Sequence, residues 1–407
     1  MNKEKIVDAA FRVWGRNFYQ KTSLSQLAKE LEVSKPALYR HFSNKQALLE
    51  AMTERFFDDF ADSIRNDYEQ TMQMKNLDEG IFAIIRGIAY FYGRNVYDFI
   101  FLLINVYEKN QNSPTATEQL KARRMDMGTL FQIFNKEYTS EPLVIQLIFA
   151  TLTFYMAEFH KNEKSLEKNP TEEEIQKTAS VICKSIKCGL EYKTDVIEKL
   201  NFDELEKLVE KKACVSEPEP LFKAVAEAVA EAGPWGASME MVAKRLGLSK
   251  SSLYGHFKNK KDMIRRLFLG EFRRIIEFAR HGIGLSTVPE EQLYLGIYSI
   301  AVYLCSRPEF LVSLDWIRTR KLDLGKSEKQ IEIFRLFEDV TIEHLQSSGE
   351  KEKQRMSHWI LFLLINIMMR SCFTEDKLPV FPKGNVQKND IRILYKFVIF
   401  GLKGFKQ

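Results

Sequence analysis

The sequence predicts an all-α protein built from two related modules. Three observations carry this expectation. Apolar residues recur at three- and four-residue spacing through most windows, no window alternates with the two-residue period of a half-buried strand, and the chain repeats itself once at a displacement of 215 residues. The paired strings are TSLSQLAKELEVSKPALYRHFSNK at 22–45 and ASMEMVAKRLGLSKSSLYGHFKNK at 237–260, and half of their 24 positions are identical. Such a displacement is far longer than a solenoid repeat, so each copy is a domain.

Each copy opens on an apolar stripe of helical period: Ile6, Ala10, Val13 and Trp14 in the first, Leu221, Val225 and Val229 in the second. A short amphipathic helix follows, marked by Leu24, Leu27, Ala28 and Leu31 and by Met239, Val242, Ala243 and Leu246. A tight corner comes next, Glu32-Val33 or Gly247-Leu248. Ser34 and Ser249 then stand where an N-cap is wanted, and Pro36 sits in the first turn, where a missing N–H costs nothing. Leu38 and Leu253 lock this third helix onto the second. The pattern is a helix-turn-helix. If the corner needs a positive φ, Glu32 strains it where Gly247 does not.

Beyond the corners the chain reads as long helices, over 44–72, 79–107, 117–136, 142–161 and 171–191 in the first half. The second half gives 259–281, 289–305, 307–321, 326–347, 350–373 and 388–405. Between the halves lies a charged amphipathic helix near 202–212, stopped by Ser216-Glu217-Pro218-Glu219-Pro220. The expected domains are therefore 1–48, 49–195, a linker at 196–218, 219–264 and 265–407.

Composition is that of a soluble globular protein, with 45% apolar and 28% charged residues and 30 phenylalanines among 407 residues. The net charge of +5 is unevenly placed: residues 1–48 carry nine Lys/Arg against four Asp/Glu, and residues 237–281 carry eleven against four. Five scattered cysteines with no CxxC or zinc spacing predict a reduced cytoplasmic protein without a metal site or cofactor. The first residues lack a signal-peptide core, and the apolar runs Phe99–Val106 and Trp359–Met369 fall short of the roughly 18 residues that cross a bilayer, so no membrane partner is expected. No nucleophile–base set, glycine-rich phosphate loop or metal cluster occurs, and the six histidines are dispersed, which argues against an enzyme.

The strings resemble the TetR/AcrR family of one-component regulators. In the first copy the resemblance rests on Thr22-Ser23, Leu27-Ala28, Val33-Ser34, Leu38-Tyr39, Phe42 and Lys45. In the second it rests on Ser238, Val242-Ala243, Gly247-Leu248-Ser249, Leu253-Tyr254, Phe257 and Lys260. It covers about the first 50 residues of each half. Glu32 in place of glycine, Ala237 in place of threonine, and the tandem arrangement itself depart from the pattern. The resemblance implies three-helix DNA-binding domains, each followed by a helical regulatory domain. It implies an operator of double-stranded DNA, a repressor's role and a small-molecule effector. It also implies an intramolecular pseudo-dimer whose four-helix bundle pairs 142–161 and 171–191 with 350–373 and 388–405. Leu147, Leu152, Val181 and Ile182 would face Leu361, Leu364, Leu394 and Val398 there. Higher assembly is left open.

A recognition helix presents side chains to base edges while its neighbours fix the register on phosphates. The candidates in the first copy are Thr22, Ser23, Ser34, Lys35, Pro36, Ala37 and Arg40. In the second they are Ser238, Ser249, Lys250, Ser251 and Ser252. Arg40 can read guanine through two hydrogen bonds, whereas Gly255 at the matching position cannot, so the two heads should not share one half-site. By resemblance Tyr39, Tyr254, His41, His256, Lys45 and Lys260 hold phosphates. The tyrosines could instead be half-buried, and the histidines could cap or pack. A lysine at a helix start opposes the helix dipole, which a bound phosphate would reconcile. Phe42 and Phe257 belong to the core. A rival reading has one head on DNA and the other on a protein.

Cavity candidates are aromatic or polar groups within apolar helices: Tyr90, Tyr97, Phe101, Asn105, Phe131 and Phe154 in the first half, Tyr298, Trp316, Phe334, Trp359, Asn366 and Arg370 in the second. Aromatic stripes at this spacing are more often core. Arg370 could meet an anionic effector or pair with a buried acid.

Overall fold

A computed structural model describes residues 2–16, 23–74, 77–105, 115–161, 170–192, 199–212, 219–255, 260–319, 336–337, 340, 349–371 and 387–406. Among these residues every regular element is helical and there is no strand. The chain divides into two units. One comprises Met1–Glu141, Leu152–Ile186 and Phe405–Gln407, the other Pro142–Thr151 and Lys187–Gly404.

The first unit begins with α1 (Lys3–Arg16), α2 (Leu24–Glu30) and α3 (Lys35–Tyr39), followed by the 29-residue α4 (Lys45–Gln73). Leu48, Met52, Phe56, Phe60, Ile64 and Tyr68 recur every four residues on α4 and are all buried. Against that stripe lie α5 (Leu77–Arg94) and α6 (Val96–Asn105). The expected single helix over 79–107 breaks at Asn95, whose side-chain amide donates to Phe91 O at 2.9 Å and competes for the helix's own carbonyl. The expected helix over 117–136 likewise divides into α7 (Ala116–Ala122) and α8 (Met127–Glu137). Arg124 adopts φ 64° there, and Asp126 restarts the helix by accepting from the Gly128 and Thr129 amides at 3.0 and 3.4 Å. Arg123, almost buried, ties this corner to α4 through Glu54 at 2.7 Å and Asp58 at 2.8 Å.

The next two helices, α9 (Pro142–His160) and α10 (Glu172–Cys188), match expectation within three residues at each end. By length and hydropathy α9 could cross a membrane. Its Val144, Leu147, Phe154 and Met156 are buried at 2% exposure or less, as in a core helix.

In the second unit α11 (Phe202–Lys212) is followed by the second copy of the repeat: α12 (Pro220–Gly236), α13 (Met239–Arg245) and α14 (Lys250–Gly255). Gly233, at φ 70° and ψ 169°, kinks the end of α12. Then come α15 (Lys260–Ile283), α16 (Pro289–Cys305) and α17 (Pro308–Thr319), with a 90° bend between the last two. Every residue of α16 from Leu293 to Ala301 is buried, which makes it the unit's central helix. The remaining helices are α18 (Glu350–Ser371) and α19 (Lys388–Phe400), and a 3-10 turn closes Gly401–Phe405. The helix expected over 326–347 lies almost wholly outside the described residues.

The boundary between units departs from the expected 49–195 domain and 196–218 linker, for two reasons found inside the second unit. Residues of the first repeat are built into it: the Trp359 indole N–H donates to Thr151 Oγ1 at 3.1 Å, and the Leu190 and Tyr192 amides donate to Val398 O and Ile399 O at 2.8 and 3.2 Å. The linker helix α11 is also not a free spacer. Leu205 and Val209 are buried. The fully buried Glu206 accepts from Tyr294 Oη at 2.6 Å and from Arg392 at 2.8 and 2.9 Å, with Lys388 Nζ at 3.3 Å. One turn on, Glu210 accepts from Tyr298 Oη at 2.6 Å and pairs with Lys388 at 2.8 Å. These donors hold both carboxylates below the usual range against the opposing effect of burial.

Candidate nucleic-acid interface

Both DNA-reading candidates are built by the same local devices. Ser23 accepts from the Gln26 amide at 3.2 Å while the Gln26 side chain accepts from the Ser23 amide at 2.7 Å, a full capping box at the start of α2. Ser238 caps α13 by accepting from the Met241 amide at 3.3 Å. Leu24, Leu27 and Ala28, and in the other copy Met239, Val242 and Ala243, face inward. The corners superpose in kind: Glu32 has φ 54° and Gly247 φ 68°. The following amides, Val33 and Leu248, each return to an alanine carbonyl, Ala28 O and Ala243 O, at 2.9 Å. The positive φ suspected from the sequence is present in both copies.

The third helices start from serine caps. Ser34 Oγ accepts from the Ala37 amide at 3.3 Å, and Ser249 Oγ from the Ser252 amide at 2.9 Å, with the Ser251 and Ser252 hydroxyls 2.9 and 2.7 Å away. Leu38 and Leu253 bury beneath α3 and α14 and turn the opposite face outward. That face carries exposed Lys35, Pro36, Tyr39 and Arg40, with Ala37 and His41 half-buried. Tyr39 is 42% exposed, so its ring is not core, and Lys35 Nζ lies 5.8 Å from its centroid. The other face carries exposed Lys250, Ser251 and Ser252 and a half-buried Tyr254, whose phenol burial raises. Among the described residues, nothing lies within 4 Å of where a Gly255 Cβ would stand.

Phe42 is buried at 4% exposure, as the apolar pattern requires. Asn44 caps α4 by accepting from the Ala47 amide at 2.8 Å, which places half-buried Lys45 in the first turn. Thr22, His256 and Phe257, and the side chain of Lys260, lie outside the described residues. Ala237, which takes the threonine position, is fully buried.

The described cavity candidates differ in their surroundings. Phe101 is core: it packs edge-on to Phe11 at 4.9 Å and beside Phe56 at 5.7 Å. Phe154 and Trp359 are core as well, at 2% and 1% exposure. Tyr298 is fully buried and is used by the linker helix, not by a cavity. Asn366 donates to Phe362 O in its own helix at 2.8 Å, while Tyr97 and Phe131 are half-buried. Tyr90 lines a polar groove of about 560 Å3 with Asp67, Arg86, Arg94, Asn95 and Gln176. Phe334 and the side chains of Asn105, Trp316 and Arg370 lie outside the described residues. Sequence reasoning passed over Arg86, Arg94 and Asp67, although two arginines eight residues apart on one apolar helix were a signal. Among the described residues no group of three His, Cys, Asp or Glu side chains is placed to hold a metal ion.

Residues 6–52 and again 221–267 match the family model described as bacterial regulatory proteins, tetR family. The chain thus carries the tetR-family module twice. Among similar proteins is the biofilm operon icaADBC HTH-type negative transcriptional regulator IcaR of Staphylococcus epidermidis, 26% identical over 83 residues, which are 20% of this chain and 45% of that protein. An uncharacterized HTH-type transcriptional regulator of Haemophilus influenzae is 29% identical over 124 residues, 30% of this chain and 64% of the other. The HTH-type regulator YuxN of Bacillus subtilis is 39% identical over 57 residues, 14% and 20% of the two chains. The chain thus covers less than two thirds of each of these relatives, and the family model matches the segments that run from α1 into α4 and from α12 into α15.

Proposed function

We propose that this chain is a DNA-binding transcriptional repressor whose two heads engage an imperfect inverted-repeat operator. The single observation that supports it is the paired helix-turn-helix geometry, each copy with a capped third helix, a buried leucine beneath it and a cationic or hydroxylic outer face. The repressor's sense follows the negative regulators it resembles. One chain supplies both heads, so it acts as its own pseudo-dimer without a concentration-dependent assembly step. The heads would then enter major grooves about one turn of DNA, roughly 34–36 Å, apart. A small molecule that shifts this spacing would release the operator.

Selection of bound duplexes from random-sequence DNA tests the reading. Two unlike half-sites support it. A strictly palindromic consensus, or no enrichment, refutes it. The open, side-chain-free surface at Gly255 favours a second reading in which only the first head touches DNA. Lys45→Ala and Lys260→Ala discriminate the two. If both heads bind, each substitution weakens binding to every sequence and lowers the salt slope by about one; if one head binds, only Lys45→Ala does.

A further inference from the structure

The two heads are joined to their following helices by different chemistry. In the first unit the joint is chiefly hydrocarbon, beside the half-exposed ion pair of Arg55 on α4 with Asp8 on α1 at 3.5 Å. Phe11 of α1 meets Phe101 of α6, Phe101 meets Phe56 of α4, and Phe56 stacks with Phe60 and meets Phe91 edge-on, all with ring centroids between 4.9 and 5.9 Å. The 215-residue displacement puts a glutamate, Glu271, on the position of Phe56. In the second unit the aromatic part of the joint is formed by Phe222, Phe268, Phe272 and Phe310, with neighbouring centroids 5.1 to 6.4 Å apart.

Glu271 is fully buried on α15. It accepts from Tyr303 Oη at 2.8 Å and from Arg274 Nη1 at 2.7 Å, and Arg307 Nε stands 3.5 Å away. Arg307 is itself 1% exposed and occupies the bend between α16 and α17. Burial and the neighbouring carboxylate push the Tyr303 phenol well up, so it remains a donor. Arg274 uses its other nitrogen, Nη2, to donate to Glu219 Oε1 at 2.8 Å, and Glu219 is the residue from which α12 starts. One ionic chain therefore runs from the first helix of the second head, through α15, to the α16–α17 bend.

A buried carboxylate without its cations is strongly unfavourable, and charge-assisted hydrogen bonds are directional. Aromatic contacts tolerate sliding because burial is non-directional. We infer that Glu271 and Arg274 are positioning residues that hold the second head in one defined arrangement, through a buried carboxylate where the first head has Phe56 and only the half-exposed Arg55–Asp8 pair nearby. This rests on reading α12–α14 as a DNA head, but its primary test does not use DNA.

That test is amide hydrogen exchange on the full chain. Arg274→Gln and Glu271→Gln should speed exchange in 222–229 of α12 at least tenfold and leave 6–13 of α1 unchanged. Glu219→Gln, which touches only the half-exposed end of the chain of contacts, should give the same selectivity if Glu271→Gln fails to fold. Unchanged exchange, or equal acceleration in both heads, overturns the inference. Footprinting on a duplex selected by the wild-type chain is the second readout. One half-site should need at least tenfold more variant for protection while the other does not change. Selective exchange with both half-sites weakened alike, or neither weakened, overturns the positioning role. Failure of the wild type to bind any duplex refutes the proposed function and leaves exchange to decide the joint.

Discussion

Glu32 and Gly247 hold the same corner in the same left-handed conformation, φ 54° and 68°, although only one of them is glycine. A side chain there meets its own backbone, at a cost of about 1–2 kcal/mol, while glycine loses roughly 0.5–1 kcal/mol of chain entropy on folding. Glu32→Gly should therefore stabilise the first head by about 0.5–1 kcal/mol. Slower amide exchange at 27–31 would show it. Gly247→Ala should do the opposite in the second head, and acceleration by Glu32→Gly would mean the corner stores no strain.

The second head lacks the arginine that the first presents. Gly255 corresponds to Arg40, its Cβ position is open, and its φ is not among the positive ones. A side chain can be added there without strain. Gly255→Arg should raise affinity for duplexes with guanine in the second half-site about tenfold, the lower end of the roughly 1–3 kcal/mol of a two-bond arginine–guanine contact. Fluorescence anisotropy against half-site variants measures it. An equal gain on every sequence would show a phosphate contact instead of base reading.

The heads were legible because their determinants are local: caps, a corner and a leucine lie within 24 residues, and the second copy repeats them. The breaks at Asn95 and Arg124 were not, since apolar periodicity continues across both and only a side-chain amide or a capping aspartate interrupts the backbone. The linker helix was placed to the residue, yet its role was missed. Its four-residue spacing of Glu206 and Glu210 is matched by Tyr294 and Tyr298 and by Lys388 and Arg392, a complementarity that only tertiary pairing reveals. Among the aromatic residues offered as cavity walls, Phe101, Phe154, Tyr298 and Trp359 are core, because helical spacing cannot tell a packed ring from one facing an open space.

Gly189 follows the end of α10 at φ 54°, and a Cβ on it would lie 2.3 Å from Val398 O and 2.7 Å from the Gly401 amide. Backbone meets backbone there, so neither side can yield as a flexible side chain would. Gly189→Ala should cost about 2–4 kcal/mol, combining left-handed strain with overpacking. The adjacent Leu190 and Tyr192 amides, bonded to Val398 O and Ile399 O, should lose exchange protection before the rest of α10. A thermal midpoint equal to wild type would contradict this close approach.

Asp98 stands in the first turn of α6, half-buried, with Asp59, Asp8 and Arg55 as its charged neighbours. Burial foremost, and then Asp59, push its carboxyl up from the ordinary 3.8 to about 6, against the pull of Arg55. The folded chain thus holds this proton more tightly than the unfolded chain. Its stabilising effect is complete below about 3.8 and is lost as pH rises through about 6. Asp98→Asn cannot ionise, so it should be more stable than wild type at pH 7.5 by about 1 kcal/mol, a figure reduced for partial exposure. The difference should vanish near pH 4. Urea denaturation across pH 4–8 measures both curves, and parallel curves would show that Asp98 keeps an ordinary carboxyl.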